Sequence, residues 1–249
     1  MSELIDCINN LSAKDIIKSV AKTANGTPFY LQTAGGAFSP ADLPDLVLWL
    51  DADVGVTVAT GVSQWDDQSG LGNHATQGVG AEQPAYIASD ANFNGHGSVD
   101  SDGVDDSLLL NSALVLSNFS IFFVSRATGY VIGSSLSAVH YIQPQALRTV
   151  VRLSATTTFN GLPNLTGAML HEVHRSSNNM TVFRDGTPGT ENPIVNATNT
   201  NINAFFMRTT GTYANVEIGE VIVCSSAITG DDLTNTQTYL ATKYGITLP

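Results

Sequence analysis

A few groups of residues have the types that chemistry needs, and their spacing limits what each can do. His171-Glu172-Val173-His174 puts two imidazoles around a carboxylate. A metalloprotease helix needs His-Glu-x-x-His, so that both ligands fall one turn apart. This spacing is one residue short and the context is a strand, where His171 faces with Val173 and His174 with Glu172. A surface strand is the expectation, not a zinc site. Glu217 and Glu220 are the acids to weigh for glycoside hydrolysis, which needs two carboxylates on one sheet face, about 5–5.5 Å apart for retention. Three apart in an unbroken strand, they point to opposite faces. There is no Gly-x-Ser-x-Gly elbow and no phosphate-cradling Gly-Lys-Thr loop. Cys7 and Cys224 have no His nearby in sequence, imply no disulfide framework, and read as buried thiols. Trp49 and Trp65 could stack on sugar rings, but their apolar and turn-forming flanks favour core packing.

Two acidic loops remain. Asp66-Asp67 and Asp102, Asp105 and Asp106 lie in Gly-containing segments with no basic neighbour in sequence. Calcium takes carboxylate and carbonyl oxygens from such loops, which makes Asp67, Asp102 and Asp105 candidate calcium ligands. Asp also commonly hydrogen-bonds turns, and that reading competes.

The elements that must position these groups are mostly strands. Of 249 residues, 43% are apolar and 13% charged, enough to bury a core and too few charges for a disordered chain. Leu46, Leu48 and Leu50 alternate with Val47, Trp49 and Asp51 in a strand largely buried on both faces. Further strands are expected at 85–88, 107–110, 119–126, 139–142, 149–153, 168–175, 180–184, 204–208 and 217–224, with Asp185-Gly186 as a hairpin turn. So many short strands indicate a two-sheet antiparallel sandwich of the all-β class. One helix is expected at about 230–244, capped by Thr229, favoured by Asp231 and Asp232 in its first turn and closed by Gly245.

Residues 1–36 read as a helical N-terminal arm and hinge, ahead of a main domain at 37–249. Leu4, Ile8 and Leu11 make one apolar stripe, and Ser12 with Asp15 resembles a capping box ahead of Ile16, Ile17 and Val20. Asn25-Gly26 stops the second helix, a short strand is expected from Pro28, and 34–37 reads as a Gly hinge. So much apolar surface needs a partner, so the arm is expected to assemble with sister subunits or other proteins, in a homo-oligomer.

Net charge is −12, and its placement matters more than its size. From Thr23 to Ser125 there are twelve acids and no Lys or Arg. Nucleic acid and anionic membrane surfaces are disfavoured as partners. A divalent cation, a basic protein partner or plain solubility suits that stretch. The first residues lack the basic start and apolar run of a secretion signal, and no segment approaches about 18 consecutive apolar residues.

Several segments, in order, resemble the bacterial and phage branch of the laminin G-like/concanavalin A-like jelly-roll family. They are Leu46–Ala52, Gln64–Ala75, Asp102–Ser107 running into Leu108–Leu110, Phe119–Ser125, Phe183–Gly186, Gly219–Val223 and Tyr239–Ile246. The resemblance covers residues 40–249. It implies a jelly-roll sandwich, and often a calcium at the sandwich rim, at loops matching the acidic ones here. The fold serves lectins, adhesins, glycanases and virion proteins alike. The expectation placed first is a non-enzymatic bacteriophage virion protein (a capsid decoration or cement, head-fibre or tail component), made in the host cytoplasm and carried on the virion. A bacterial glycan-binding or adhesion module is the alternative, and a glycoside hydrolase the second.

Overall fold

A computed structural model describes residues 20–22, 28–30, 37–137, 140–153, 155–160, 162–163, 167–177, 179–189, 192–193 and 199–249. The chain forms two compact units, Met1–Phe38 and Ser39–Pro249. In the first, β1 (Val20–Lys22) pairs antiparallel with β2 (Pro28–Tyr30). The helix expected through Lys22 is thereby corrected at its end. Val20 sits in a strand, which β-branched side chains favour, and Asn25-Gly26 is as much a hairpin signal as a helix stop. Leu4, Cys7, Ile8, Leu11, Ile16, Ile17 and the Gly hinge at 34–36 lie outside the described residues.

The second unit begins with β3 (Leu46–Asp51), β4 (Val56–Val58), β5 (Val62–Trp65), β6 (Ala75–Thr76), β7 (Ala85–Asp90) and β8 (His96–Asp100). It continues through β9 (Leu108–Leu116), β10 (Phe119–Arg126), β11 (Ile132–Gly133), β12 (His140–Gln145), β13 (Arg148–Leu153) and β14 (Ala155–Asn160). Then come β15 (Met169–Ser176), β16 (Asn179–Arg184), β17 (Thr187–Pro188), β18 (Asn192–Pro193), β19 (Thr200–Phe205), β20 (Met207–Thr209), β21 (Thr212–Tyr213), β22 (Glu217–Cys224) and α1 (Gly230–Tyr244). Sheet I runs β17-β16-β15-β10-β22-β8-β7, with β18 on β16 and β3 on β22. Sheet II runs β14-β13-β12-β11-β19-β9-β6-β5-β4. All pairings are antiparallel, and the two sheets close as a sandwich on one core.

Alternation decides what enters that core. Phe119, Ile121 and Phe123 of β10 point inward beside Val173, Val221 and Val223 of neighbouring strands. They meet Leu108, Ile142, Val151, Phe159 and Ile202 from sheet II. Each such side chain contributes roughly 1.5–3 kcal/mol by leaving water. The other face of sheet I is not solvated, because α1 covers it. Strand β15 is therefore buried on both faces, not a surface strand as its mixed sequence suggests. The helix occupies the expected span, and Gly245 closes it at φ 66. Asp185 and Gly186, at φ 48 and 73, make the expected turn between β16 and β17.

Two local breaks escaped alternation. The run expected at 204–208 is split at Phe206, a buried residue at φ 66 whose N–H donates to the Val131 carbonyl. In β22 the register slips so that Val124 faces Glu220 and Ser125 faces Ile218, leaving Gly219 extra. The bulge lets Ile218 and Val221 both reach the core, so Glu217 and Glu220 share the outer face. That corrects the expectation of opposite faces. A side chain at Gly219 would not fit: its Cβ would lie 2.8 Å from the Phe93 ring and 2.9 Å from Tyr244.

Arg184 braces the two sheets. Fully buried in β16, it donates to the carbonyls of Gln145, Ala146, Arg148 and Pro163 and to Thr149 Oγ1. Those acceptors lie on and beside the β12–β13 hairpin, so sheet I fixes that end of sheet II. Burial lowers the guanidinium to about 10, with Asp185 opposing, and it stays charged at neutral pH.

Candidate functional site

The residues singled out by sequence are not brought to one place. Asp67 holds a turn, accepting from the backbone N–H of Trp49 at 3.0 Å, Ser69 at 2.9 Å and Asn73 at 2.9 Å, and from Ser69 Oγ at 2.7 Å. Asp102, Asp105 and Asp106 do converge, with one oxygen from each within 4.8 Å of the others. Asp106 is buried and accepts from the Asp102 N–H; burial raises its carboxyl, that hydrogen bond opposes, and the charges of Asp102 and Asp105 add to the rise. Trp65 is fully buried in the core, as expected. Trp49 is not in that core. It is half-buried on the outer face of sheet I, its Nε1 donating to Glu220 at 2.8 Å.

Beneath α1 lies a polar layer that sequence spacing did not reveal. Glu220 is fully buried and accepts from Trp49 Nε1, Tyr239 OH, Tyr244 OH and Lys243 Nζ at 2.8–3.1 Å. Lys243 also reaches Asp51 at 2.7 Å. Burial, and then Asp51, push the Glu220 carboxyl up to about 7 against the pull of Lys243. Burial lowers the Lys243 ammonium, but Glu220 and Asp51 more than offset it. Further along, Ser120 Oγ lies 2.8 Å from His174 Nδ1, and His174 Nε2 lies 3.2 Å from Glu172 Oε2. The order serine, histidine, carboxylate is that of a hydrolase nucleophile and its base. Ser120, however, is fully buried and accepts the Ile228 N–H, while Glu172 accepts from Gln237. The array fastens the helix and its lead-in to the sheet. His171 points the other way, stacked 4.9 Å from Phe123, and burial holds its imidazole well below the usual range, hence neutral.

Sheet II presents a different outer face. The register pairs Tyr141 with Arg152, Gln143 with Val150 and Gln145 with Arg148 across β12 and β13. Thr158 and Asn160 continue the last two of these rows on β14. Ile142, Val151 and Phe159, between them in sequence, point into the core. The outer rows are pre-arranged by a chain of hydrogen bonds: Arg148 Nε donates to Gln145 Oε1 at 2.6 Å, and Gln145 Nε2 to Gln143 Oε1 at 3.1 Å. At the hairpin end a depression of about 620 Å³ is lined by Gln145, Leu147, Arg148, Asn160 and Leu162. Toward the other end Tyr130, half-exposed, meets Tyr141 edge-on with centroids 5.3 Å apart, and Arg208 lies 5.3 Å over the Tyr141 ring. Side-chain amides fixed on a rigid face, with Tyr130 half-exposed against Tyr141 while packed in part on the core, can hold a polyhydroxylated ligand. Sequence reading missed this face because it depends on strand register, and β14 was not expected as a strand.

No family model matches the sequence, and no curated protein matches it. Solved structures share the fold. The receptor-binding domain of botulinum neurotoxin type G superposes with a TM-score of 0.58 at 13% identity, over 82% of this chain and 54% of that one. Domain 4 of AbnA, a GH43 extracellular arabinanase from Geobacillus stearothermophilus in complex with arabinotriose, gives 0.53 at 12% identity, over 80% of this chain and 98% of that domain. A Trypanosoma rangeli sialidase in complex with the inhibitor DANA gives 0.51 at 12% identity, over 81% of this chain. This chain spans only 34% of that sialidase. At such identities the likeness is one of architecture: a β-sandwich of the jelly-roll type.

Proposed function

We propose that the Ser39–Pro249 unit is a glycan-binding module that holds its ligand without cleaving it. The observation that carries this is the outer face of β12–β14, where Gln143, Gln145, Arg148 and Asn160 stand in register beside an open depression, with Tyr130 at the far end. Sites of this kind combine an aromatic surface with a few fixed polar groups. The fold neighbours support the reading, since one is a domain in complex with arabinotriose and another a toxin's receptor-binding domain. Absence of cleavage is argued from the sealed acids: Glu220 lies under α1 and Glu217 is ion-paired to Arg126 at 2.7 Å. Neither fold nor comparisons favour the virion role placed first from sequence, so the glycan-binding alternative takes its place.

The test is calorimetric titration of the full chain with a panel of neutral and anionic oligosaccharides. At least one should bind, and Tyr130→Ala should weaken it roughly tenfold, about 1.4 kcal/mol. A folded protein that binds none of the panel overturns the proposal.

A further inference from the structure

We propose that the glycan taken by this face is anionic, carrying carboxylate or sulfate groups, with Arg148 and Arg152 as its anion-binding residues; this deepens, and rests on, the glycan-binding reading. The observation is charge segregation. In a chain of net charge −12, no strand of sheet II contains an Asp or Glu. There is no acid from Ser107 to His171, and none from Asn192 to Val216. Those segments supply β9 to β14, the first three residues of β15, and β18 to β21.

Basic residues elsewhere in the sandwich are committed. Arg126 is paired with Glu217 and Lys243 with Asp51 and Glu220, while Arg184 is spent on carbonyls inside the sandwich. Arg148 and Arg152 instead stand two rows apart on the outer face of β13 with no carboxylate paired to either among the described residues. Arg148 is exposed, and with its Nε held by Gln145 its two terminal nitrogens are left for a ligand. Arg152 stands opposite Tyr141, whose ring also carries Arg208. Its Nε is shut off from solvent, so an anion would meet the terminal nitrogens of its guanidinium. Planar guanidinium groups bind carboxylate and sulfate oxygens in pairs. A long polyanion such as nucleic acid fits less well, because the acidic remainder of the molecule would repel it.

The experiment uses the full chain and hexasaccharides of hyaluronan (carboxylate only), heparin (carboxylate and sulfate) and xylan backbone (neutral), with polyglutamate as a non-sugar anion. One or both anionic sugars should bind at least tenfold tighter than the neutral one, and weaken several-fold between about 50 and 200 mM NaCl. Hyaluronan binding assigns carboxylate as sufficient; heparin alone assigns sulfate. Arg148→Gln and Arg152→Gln should each cost about tenfold, and Arg126→Gln on sheet I nothing. Since Arg148 is exposed, its variant reports even if the half-buried Arg152 variant folds poorly. A neutral sugar bound as tightly, with no loss in Arg148→Gln, overturns the anionic assignment and leaves glycan binding standing. Polyglutamate bound as tightly as the sugars overturns it too. Failure of every sugar overturns both readings.

Discussion

The two sheets share one core and differ in what they do with charge. Sheet I carries Asp51, Asp90, Asp100, Glu172, Glu217 and Glu220 on its strands, and the middle of its outer face is sealed under α1. Sheet II carries no strand carboxylate and leaves the hairpin end of its β12–β14 face open, while Tyr141 and Val150 farther along it are buried. A charge withdrawn from water must be matched by charge or hydrogen bonds within the molecule. Glu220 shows this with four donors around one carboxylate. Sheet I thus uses its ionisable groups to hold a helix, while Arg148 and Arg152 of sheet II are paired with no carboxylate among the described residues.

The sharpest way to break that contrast is to remove the cation from sheet I. Lys243→Met leaves Glu220 and Asp51 buried side by side without their ammonium partner. Losing one member of a buried pair costs about 3–5 kcal/mol, which for a domain of this size lowers the melting midpoint by roughly 6–20 °C. Without the ammonium the Glu220 carboxyl rises further and protonation relieves part of the cost, so in urea unfolding the loss should grow with pH through and above neutrality. A change below about 1 kcal/mol would mean that apolar packing, not charge, anchors α1. Oligosaccharide binding by the folded fraction should be unchanged.

Much of this contrast was legible in the residues, but not its geometry. The span of α1 follows from Asp231, Asp232 and Gly245, all local signals; Thr229 stands at the N-cap, but its side chain makes none of the capping bond expected of it. Strands β10 and β22 follow from the short apolar runs Ile121–Val124 and Val221–Cys224, and the β16–β17 turn from Asp-Gly. The missed features depend on distant partners. The Gly219 bulge is a register fact between β10 and β22, and it alone puts Glu217 and Glu220 on one face. The Thr-rich β14 lacks apolar alternation and is a strand because β13 pairs with it. The acid-free run from Ser107 to His171 stands in the sequence as plainly as the base-free run before it. Only sheet pairing sends β9 and β11 to β14 of that run into one sheet.

The second way to sharpen the comparison is pH, because the two carboxyls raised furthest, Glu220 and Asp185, lie in or beside sheet I. Burial and Asp51 raise Glu220 to about 7 from its ordinary 4.5, and burial raises Asp185 to about 6 from 3.8. A carboxyl whose folded value is raised binds its proton more tightly in the folded state. Its contribution is therefore fully present below the unfolded value and lost as pH rises through the folded one. Stability should fall between about pH 4.5 and 7, on the order of 2–3 kcal/mol from Glu220. Glu220→Gln should flatten most of that slope. Urea midpoints that stay level or climb across the window would refute the assignment.

The smallest expected effect tests the acidic rim, where charge is neither paired with a cation as under α1 nor absent as on sheet II. Asp102, Asp105 and Asp106 bring one oxygen each within 4.8 Å, and the hydrogen bonds inside the group satisfy only part of them: Asp106 accepts from the Asp102 N–H and Asp102 from the Val104 N–H. Without a cation the three carboxylates repel. Asp105, half-buried, carries no hydrogen bond from its side chain to the loop, so Asp105→Asn removes repulsion without removing a contact. In chelator that variant should be more stable than the parent by about 0.5 kcal/mol, an increment typical of exposed charge pairs, or roughly 1–2 °C in the melt. We further expect millimolar calcium to reverse the order. Loop sites of this kind bind with dissociation constants of about 0.1–1 mM, and at a few-fold excess the ion stabilises the parent by about 1 kcal/mol. The variant, short of one charged ligand, should gain less. If calcium moves neither melt, the rim holds no ion and Asp102 and Asp106 serve only their turn. If Asp105→Asn is the less stable protein in chelator, the three carboxylates do not strain the loop, and the repulsion argued from their spacing is wrong.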